Sequence, residues 1–315
     1  MTHDAPTAGM LSPLDDRLHR PAVDDPWWTE TAWFGFADPA SGLCGSIYQI
    51  YRTVQGVMAT AVYVWAPGRE NLHELPYYRA FWHLPIAEDA HPCDNELASG
   101  LSIRTLAPMS EYRIRYGDPG ELELDLHWRG ILDAQPLHVA NGMGHLDQLG
   151  RVTGTMTLHG TVVDIDCIEM RDRSWTPRRE TTSRTRRGYT YGSTPDGSEA
   201  FFVATDMAPG SSDDLAVGGW LLHDGVVTPV EHGHRRVTRD DRHRPQRVEL
   251  DVEAGGTRHR WSGDVESRLA LPTTPYFAWM SLTTWTDDDG RRLIGEDHDS
   301  WSPRRWRALC RGEER

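Results

Sequence analysis

The sequence contains no lysine; all 33 of its basic residues are arginine. Schiff-base chemistry and a lysine general base are therefore excluded. A guanidinium keeps its charge even when buried, so the basic residues can bind and orient but are poor proton donors. Cysteine is scarce too. Cys44, Cys93, Cys167 and Cys310 are scattered without a C-x-x-C pair, so neither a disulfide framework nor a structural zinc site is expected. No apolar run approaches the roughly 20 residues that span a bilayer. Residues 1–25 are polar and acidic and lack the charged-then-apolar order of a signal sequence. The expectation is a cytoplasmic chain without membrane insertion, carrying a loose N-terminal arm. A net charge of −14 disfavours a nucleic-acid partner. Also missing are a phosphate loop, a G-x-S-x-G elbow, an H-E-x-x-H helix and a dinucleotide fingerprint. No cofactor and no metal are expected, since His232-Gly233-His234 sits in an arginine-rich stretch and reads as surface. Such a chain suits chemistry that needs only an acid, a shaped cavity and water.

Period-2 segments bounded by Gly, Pro, Asn and Asp dominate, and long 3.6-period runs are absent. Strands are expected in the first half at 31–36, 45–53, 57–65, 101–106, 112–116 and 122–128. In the second half they are expected at 151–158, 161–175, 187–191, 200–205, 217–223, 226–230, 247–252, 258–265, 277–285 and 291–301. Such spacing predicts an all-β chain of meanders or barrels, which remove exposed strand edges and leave a mouth for an apolar ligand. The stretch 70–95, with three prolines and no clean period, is expected to cross one end of the first domain. Pro136, Asn141 and Gly142 mark a connection near 133–146, so the expected domains are an arm at 1–25, a first β-domain at 26–140 and a second at 141–315. The 13 tryptophans serve either as core filler or as walls of an apolar pocket.

The most informative stretch is 145–178. It opens His145-Leu146-Asp147-Gln148-Leu149-Gly150-Arg151-Val152-Thr153-Gly154 and closes Arg171-Asp172-Arg173-Ser174-Trp175-Thr176-Pro177-Arg178. This resembles the carotenoid 1,2-hydratase (hydroxyneurosporene synthase) and AttH-like lipocalin superfamily. There a His-x-x-Gln, Gly-Arg-x-x-Gly strand is followed by Arg-Asp-x-Ser-Trp-Gly-x-Arg. Thr176-Pro177 departs from that pattern while Asp172, Trp175 and Arg178 keep it. Trp28-Thr29-Glu30 resembles the family's opening and Gly295-Glu296 before Trp301 its closing strand. The resemblance implies two consecutive lipocalin-like barrels and an apolar, isoprenoid or polyketide-like substrate.

Read without the family, strand alternation puts Asp166, Ile168, Met170, Asp172 and Ser174 on one face, with Cys167, Glu169, Arg171, Arg173 and Trp175 on the other. Asp172 is the candidate acid, because burial beside apolar residues raises a carboxyl pKa; the competing reading is an Arg/Asp cluster that staples the fold. His145 and Glu30 complete the candidate catalytic set. Gln148, Trp175, Arg178, Tyr189, Trp279, Trp285 and Glu296 are the candidate substrate contacts, the tryptophans as cation-stabilising walls. Three functions stay open. The first is a cofactor-independent hydratase or dehydratase acting on a terpenoid-type alkene or alcohol. The second is a cofactor-free cyclase, including a pericyclic one, and the third a carrier of an apolar ligand. The expected partner is an apolar small molecule, and a homo-oligomer is left open.

Overall fold

The computed structural model describes residues 10–23, 25–178, 185–207, 213–272 and 276–313. They form two compact units. The first comprises residues up to Asp38, Cys44–Val64 and Pro76–Arg178; the second comprises Pro39–Leu43, Trp65–Leu75 and the chain from Arg179.

The first unit holds β1 (Trp28–Asp38), β2 (Leu43–Arg52), β3 (Val57–Trp65), β4 (Tyr77–Pro85), β5 (Asn95–Glu96), β6 (Leu101–Ala107), β7 (Glu111–Asp118), β8 (Leu122–Gly130), β9 (Gln135–Ala140), β10 (Met143–Leu158) and β11 (Thr161–Pro177). They make one sheet in the order β4-β3-β2-β1-β11-β10-β8-β7-β6-β5, with β9 paired to β10. The division therefore falls after Arg178 and not near 133–146. The His159-Gly160 turn makes β10 and β11 read as the start of a new meander. In fact β10 pairs with β8 and β11 pairs with β1, so this hairpin joins the two halves of the first sheet. The turn residues at 133–143 only break off the short strand β9. The stretch 70–95 likewise does more than cross an end, since β4 within it extends the sheet beyond β3.

The N-terminal arm is not loose over its described residues. Ser12 caps a turn of 3-10 helix at Pro13–Asp16, and its N–H donates to Asp15 at 2.6 Å. The turn delivers Asp16 to one face of the sheet. There the carboxylate accepts from Arg171 Nη1 at 3.0 Å, the Tyr112 hydroxyl at 2.6 Å and the Met109 N–H at 2.8 Å. The Arg171 guanidinium lies over the rings of Tyr112 and Trp128. Beside it Arg173 donates to the carbonyls of Thr31 and Arg17, both at 2.6 Å, and to Glu30 at 3.2 Å. His19 stacks on Trp175 with ring centroids 4.1 Å apart and touches Glu30 and Asp15. Arg171, Arg173 and Glu30 are each 0% exposed, so these ion pairs are obligatory: a buried guanidinium without its anion costs several kcal/mol. Burial disfavours the Asp16 anion, yet Arg171 and the Tyr112 and Met109 hydrogen bonds outweigh it and lower the pKa.

The second unit is a closed barrel of β12 (Arg186–Ser193), β13 (Glu199–Met207), β14 (Asp214–His223), β15 (Val226–Arg239), β16 (Pro245–Ala254), β17 (Thr257–Pro272), β18 (Phe277–Asp287) and β19 (Arg292–Trp301), followed by α1 (Pro303–Cys310). The all-β class thus holds, with an open sheet first and a closed barrel second. Closure lets every second residue turn inward. Part of the interior is apolar, built on Phe201, Val203, Val248, Leu250, Val252 and Trp285. The rest is ionic. Arg235 donates to Asp297 at 2.6 Å and Asp214 at 2.8 Å, Arg186 to Asp214 at 2.8 Å and Arg239 to Asp299 at 2.5 Å. Arg186 and Arg239 both lie over Trp301, and Trp306 of α1 packs on Trp301 and Phe277. Two segments made early in the chain join this unit. Glu70 accepts from Arg268 at 2.6 Å and Arg244 at 3.3 Å, and the Ser267 hydroxyl donates to the Gly42 carbonyl at 3.0 Å.

These pairs set the acid behaviour. Burial raises the Asp299 carboxyl, but Arg239 and Arg235 outweigh it and bring it to about 2. Asp16 is shifted the same way from its ordinary 3.8. Both groups hold protons less readily folded than unfolded, so their stabilisation is full above the ordinary carboxylate pKa and is lost as pH falls through the folded values. Asp214 is shifted upward, burial dominating, and offsets part of this. In urea titrations at pH 7, Asp16→Asn is expected to cost about 3–5 kcal/mol. That cost should shrink as pH falls below the ordinary carboxylate range; a cost independent of pH would show that Asp16 acts through shape alone.

Candidate functional site

β11 is the strand from which the candidate site is built, because both of its faces carry polar groups into buried surroundings. Register aligns it with β10 and β1 in two cross-strand rows on the face opposite the N-terminal segment. One row is His145, Ser174 and Thr31; the next is Asp147, Asp172 and Trp33. Cross-strand neighbours on one face are within side-chain reach, and the two rows bring an imidazole, two carboxyls and two hydroxyls together.

His145 Nε2 is 3.1 Å from Asp147 Oδ1, and Asp147 is fully buried. Burial disfavours the imidazolium. The Asp147 carboxylate, its hydrogen bond and Asp172 outweigh that loss and the opposing Arg178, so the His145 pKa is raised above 6.5. A further set of contacts starts at Ser174. Its hydroxyl lies 2.7 Å from the Thr31 hydroxyl and accepts from Arg178 Nη2 at 2.5 Å, while Arg178 Nη1 donates to the Tyr48 hydroxyl at 3.3 Å. Arg52 donates to the Thr29 hydroxyl at 2.7 Å, and burial together with Arg178 lowers its pKa. Trp33 is pinned by a 2.5 Å hydrogen bond to Ser46. Chemically the group combines a proton held on an imidazole, an adjacent carboxyl and a guanidinium–hydroxyl edge that can hold a substrate oxygen.

The residues singled out from the sequence fall into separate places. His145, Asp172 and Arg178 come together here. Glu30, Gln148 and Trp175 do not: they face the other way and hold the N-terminal segment and its arginine partners. Gln148 accepts from Arg171 at 2.7 Å and donates to the Leu132 carbonyl at 2.8 Å. Trp279 and Trp285 belong to the second unit. Both turn into the barrel of the second unit, Trp279 against Phe277 and Trp285 against Phe201. Tyr189 and Glu296 lie on the outward face of that barrel, each beside His298. Asp147, Tyr48 and His298 were missed. Asp147 could have been found, since it shares a strand face with His145 two residues away. Tyr48 could not, because only the β2–β1–β11 arrangement brings it to Arg178.

A family model described as a domain of unknown function (DUF7064) matches residues 12–296. No curated protein matches the chain significantly. Among solved structures, an AttH protein of Nitrosomonas europaea is similar at 13% identity and a TM-score of 0.60, over 95% of this chain and 98% of that one. CghA in complex with Sch210972 is similar at 14% identity and 0.57, over 88% and 89%. Kievitone hydratase of Nectria haematococca is similar at 10% identity and 0.53, over 87% and 89%. These likenesses show the fold. They support the AttH-like, lipocalin-like architecture expected from the motifs, and not carotenoid 1,2-hydratase in particular.

The electrostatics of the site can be read directly by NMR titration of the histidine rings. His145 is expected to titrate above the ordinary 6.5, and Asp147→Asn or Asp172→Asn should each lower its pKa. The sign for stability follows: a histidine raised in the fold stabilises below its unfolded pKa, and that contribution is lost as pH rises through the folded value. A His145 pKa unmoved by either substitution would remove the carboxyls from its environment.

Proposed function

The chain belongs to the DUF7064 family, a domain of unknown function, so its reaction has to be argued from the site, and we propose that it is a cofactor-independent hydro-lyase of an apolar alcohol or its alkene. The observation that carries this reading is the His145–Asp147–Asp172 group, half-buried at His145 and Asp172 and fully buried at Asp147, beside the Arg178–Ser174–Tyr48 edge. A carrier needs no such group, because burying ionisable side chains costs stability that only chemistry or pairing offsets.

In dehydration the His145 imidazolium gives its proton to the departing hydroxyl as the C–O bond breaks, and water leaves. The Asp172 carboxylate takes the proton from the neighbouring carbon as the double bond forms, then returns it to His145. In hydration the roles reverse: protonated Asp172 delivers a proton to carbon and neutral His145 takes one from the attacking water. Asp147 fixes the imidazole, and Arg178 with Tyr48 holds a substrate oxygen. An imidazolium is a weaker acid than a carboxylic acid by about two pKa units, so it suits protonation of oxygen better than protonation of a bare alkene. The terpenoid substrate class rests on the motif resemblance at 145–178. Kievitone hydratase, a hydratase by name, shares the fold.

A second reading, a cyclase, draws on the same guanidinium edge, which could polarise a substrate carbonyl while the fold shapes the rest. The two separate by mutation. With a panel of terpenoid alcohols and alkenes, loss or gain of one water by mass spectrometry identifies a hydro-lyase substrate. His145→Gln and Asp172→Asn should each lower turnover by about 100-fold or more, with melting temperature little changed. A folded His145→Gln protein with full turnover would exclude the mechanism, and an isomeric product of unchanged mass would favour the cyclase.

A further inference from the structure

The second unit carries an open cleft that takes no part in the chemistry above. Its volume is about 360 Å³, at the small end of ligand pockets. Its floor is the outward face of β18 and β19, where Leu282, Thr284 and Ile294 line it and register pairs Thr284 with Ile294. Its lip is made by the two early segments, Pro39–Leu43 and Trp65–Leu75. Gly42 has a φ of +71°, and a Cβ there would stand 2.8 Å from Pro67 Cγ, so the two segments meet at a contact that suits glycine. The Ser267 hydroxyl holds the Gly42 carbonyl at 3.0 Å. The lip is thereby tied to the barrel wall, and the cleft is a built feature of the unit.

Two opposite charges stand at its walls. Glu266 comes from β17 and Arg292 from β19, on either side of β18, and both are exposed. The pairing of β17 with β18 shifts register between Val265 and Ser267. Glu266 is therefore the extra residue of a β-bulge, a device that re-aims a side chain. Arg292 is the register partner of Thr286, yet its Nη2 donates to the Thr284 hydroxyl at 3.5 Å. The guanidinium thus leans back along β18 toward the level of Glu266. Neither side chain has an ion-pair partner among the described residues, and they do not pair with each other. Elsewhere on the barrel exterior arginines meet carboxylates directly, as Arg247 meets Asp264 at 2.8 Å and Arg258 meets Asp251. Here the two charges face a common cleft with an apolar floor between them.

We propose that this cleft binds a small zwitterion with an apolar body, of the class of a short apolar peptide. Its ammonium group donates to Glu266, its carboxylate accepts from Arg292, and its side chains lie on Leu282 and Ile294. Two strand spacings, roughly 9.5 Å, separate β17 from β19, and the two charged side chains shorten that gap from both sides. The ends of an extended dipeptide are roughly 7 Å apart. A single amino acid carries its charges on adjacent groups and reaches one wall only. The site stands whether or not His145 performs the chemistry proposed for it.

Isothermal titration of the full chain with alanylleucine, its N-acetyl derivative and its C-terminal amide tests this. Each blocked form keeps the apolar body and removes one charge. Alanylleucine is expected to bind at least about fivefold more tightly than either, because a hydrogen bond between charged groups is about twice as strong as a neutral one. Glu266→Gln should abolish the preference over the N-acetyl form and keep the preference over the amide. Arg292→Gln should do the reverse. Equal affinities for the three ligands in the wild-type protein, or no binding of alanylleucine up to about 10 mM, overturn the proposal without any variant. Preferences that survive both substitutions also overturn it, since the charges that read the peptide ends would then lie elsewhere.

Discussion

A guanidinium cannot shed its charge, and this chain buries several of them. That constraint organises both units. Arg171 and Arg173 are fully enclosed in the first unit, and Arg235 in the second. Each must bring its anions with it, because the low-dielectric interior punishes an unmatched charge more than it rewards a matched one. In the first unit the anions come from Glu30 and from Asp16, so residues far from β11 are drawn onto its face. In the second they come from Asp214, Asp297 and Asp299, so one part of the barrel interior is ionic where the rest is apolar. A lysine could have been neutralised by a lowered pKa in either place; arginine forecloses that escape.

The same constraint divides β11 into two jobs. Its odd-numbered residues, Arg171, Arg173 and Trp175, are committed to the N-terminal segment. Its even-numbered residues, Asp172 and Ser174, are left to the Asp147 and His145 rows. A one-residue slip would exchange the two faces and unpair every charge on the strand. The hydrogen-bond ladders on both sides, to β1 and to β10, hold that register.

Much of this was legible in the sequence. Period-2 patterning and turn chemistry are local, so the all-β class and most strands could be read from it. The alternation around Asp172 was legible too, since it needs only the parity of a strand. What was not legible depends on pairing between distant strands. The His159-Gly160 turn looks the same whether its hairpin starts a new domain or joins two parts of an old one; only the pairing of β11 with β1 decides. The segment holding Asp16 reads as a loose arm because its partners, Arg171 for Asp16 and Trp175 for His19, lie on a strand far along the chain. Trp175, Trp279 and Trp285 were grouped as pocket walls because composition reports how many aromatics there are and not which way each one faces.

The two early segments of the second unit have a consequence for how the chain is made. Glu70 and its partner Arg268 are separated by 198 residues, and Gly42 waits still longer for Ser267. During vectorial synthesis, Pro39–Leu43 and Trp65–Leu75 emerge among strands of the first unit with no barrel yet in existence to receive them. They stay unsatisfied until β17 leaves the ribosome. These contacts can form only after the newest strands exist to meet the oldest loops. A nascent chain halted after the first unit would carry two exposed tethers with nothing to hold.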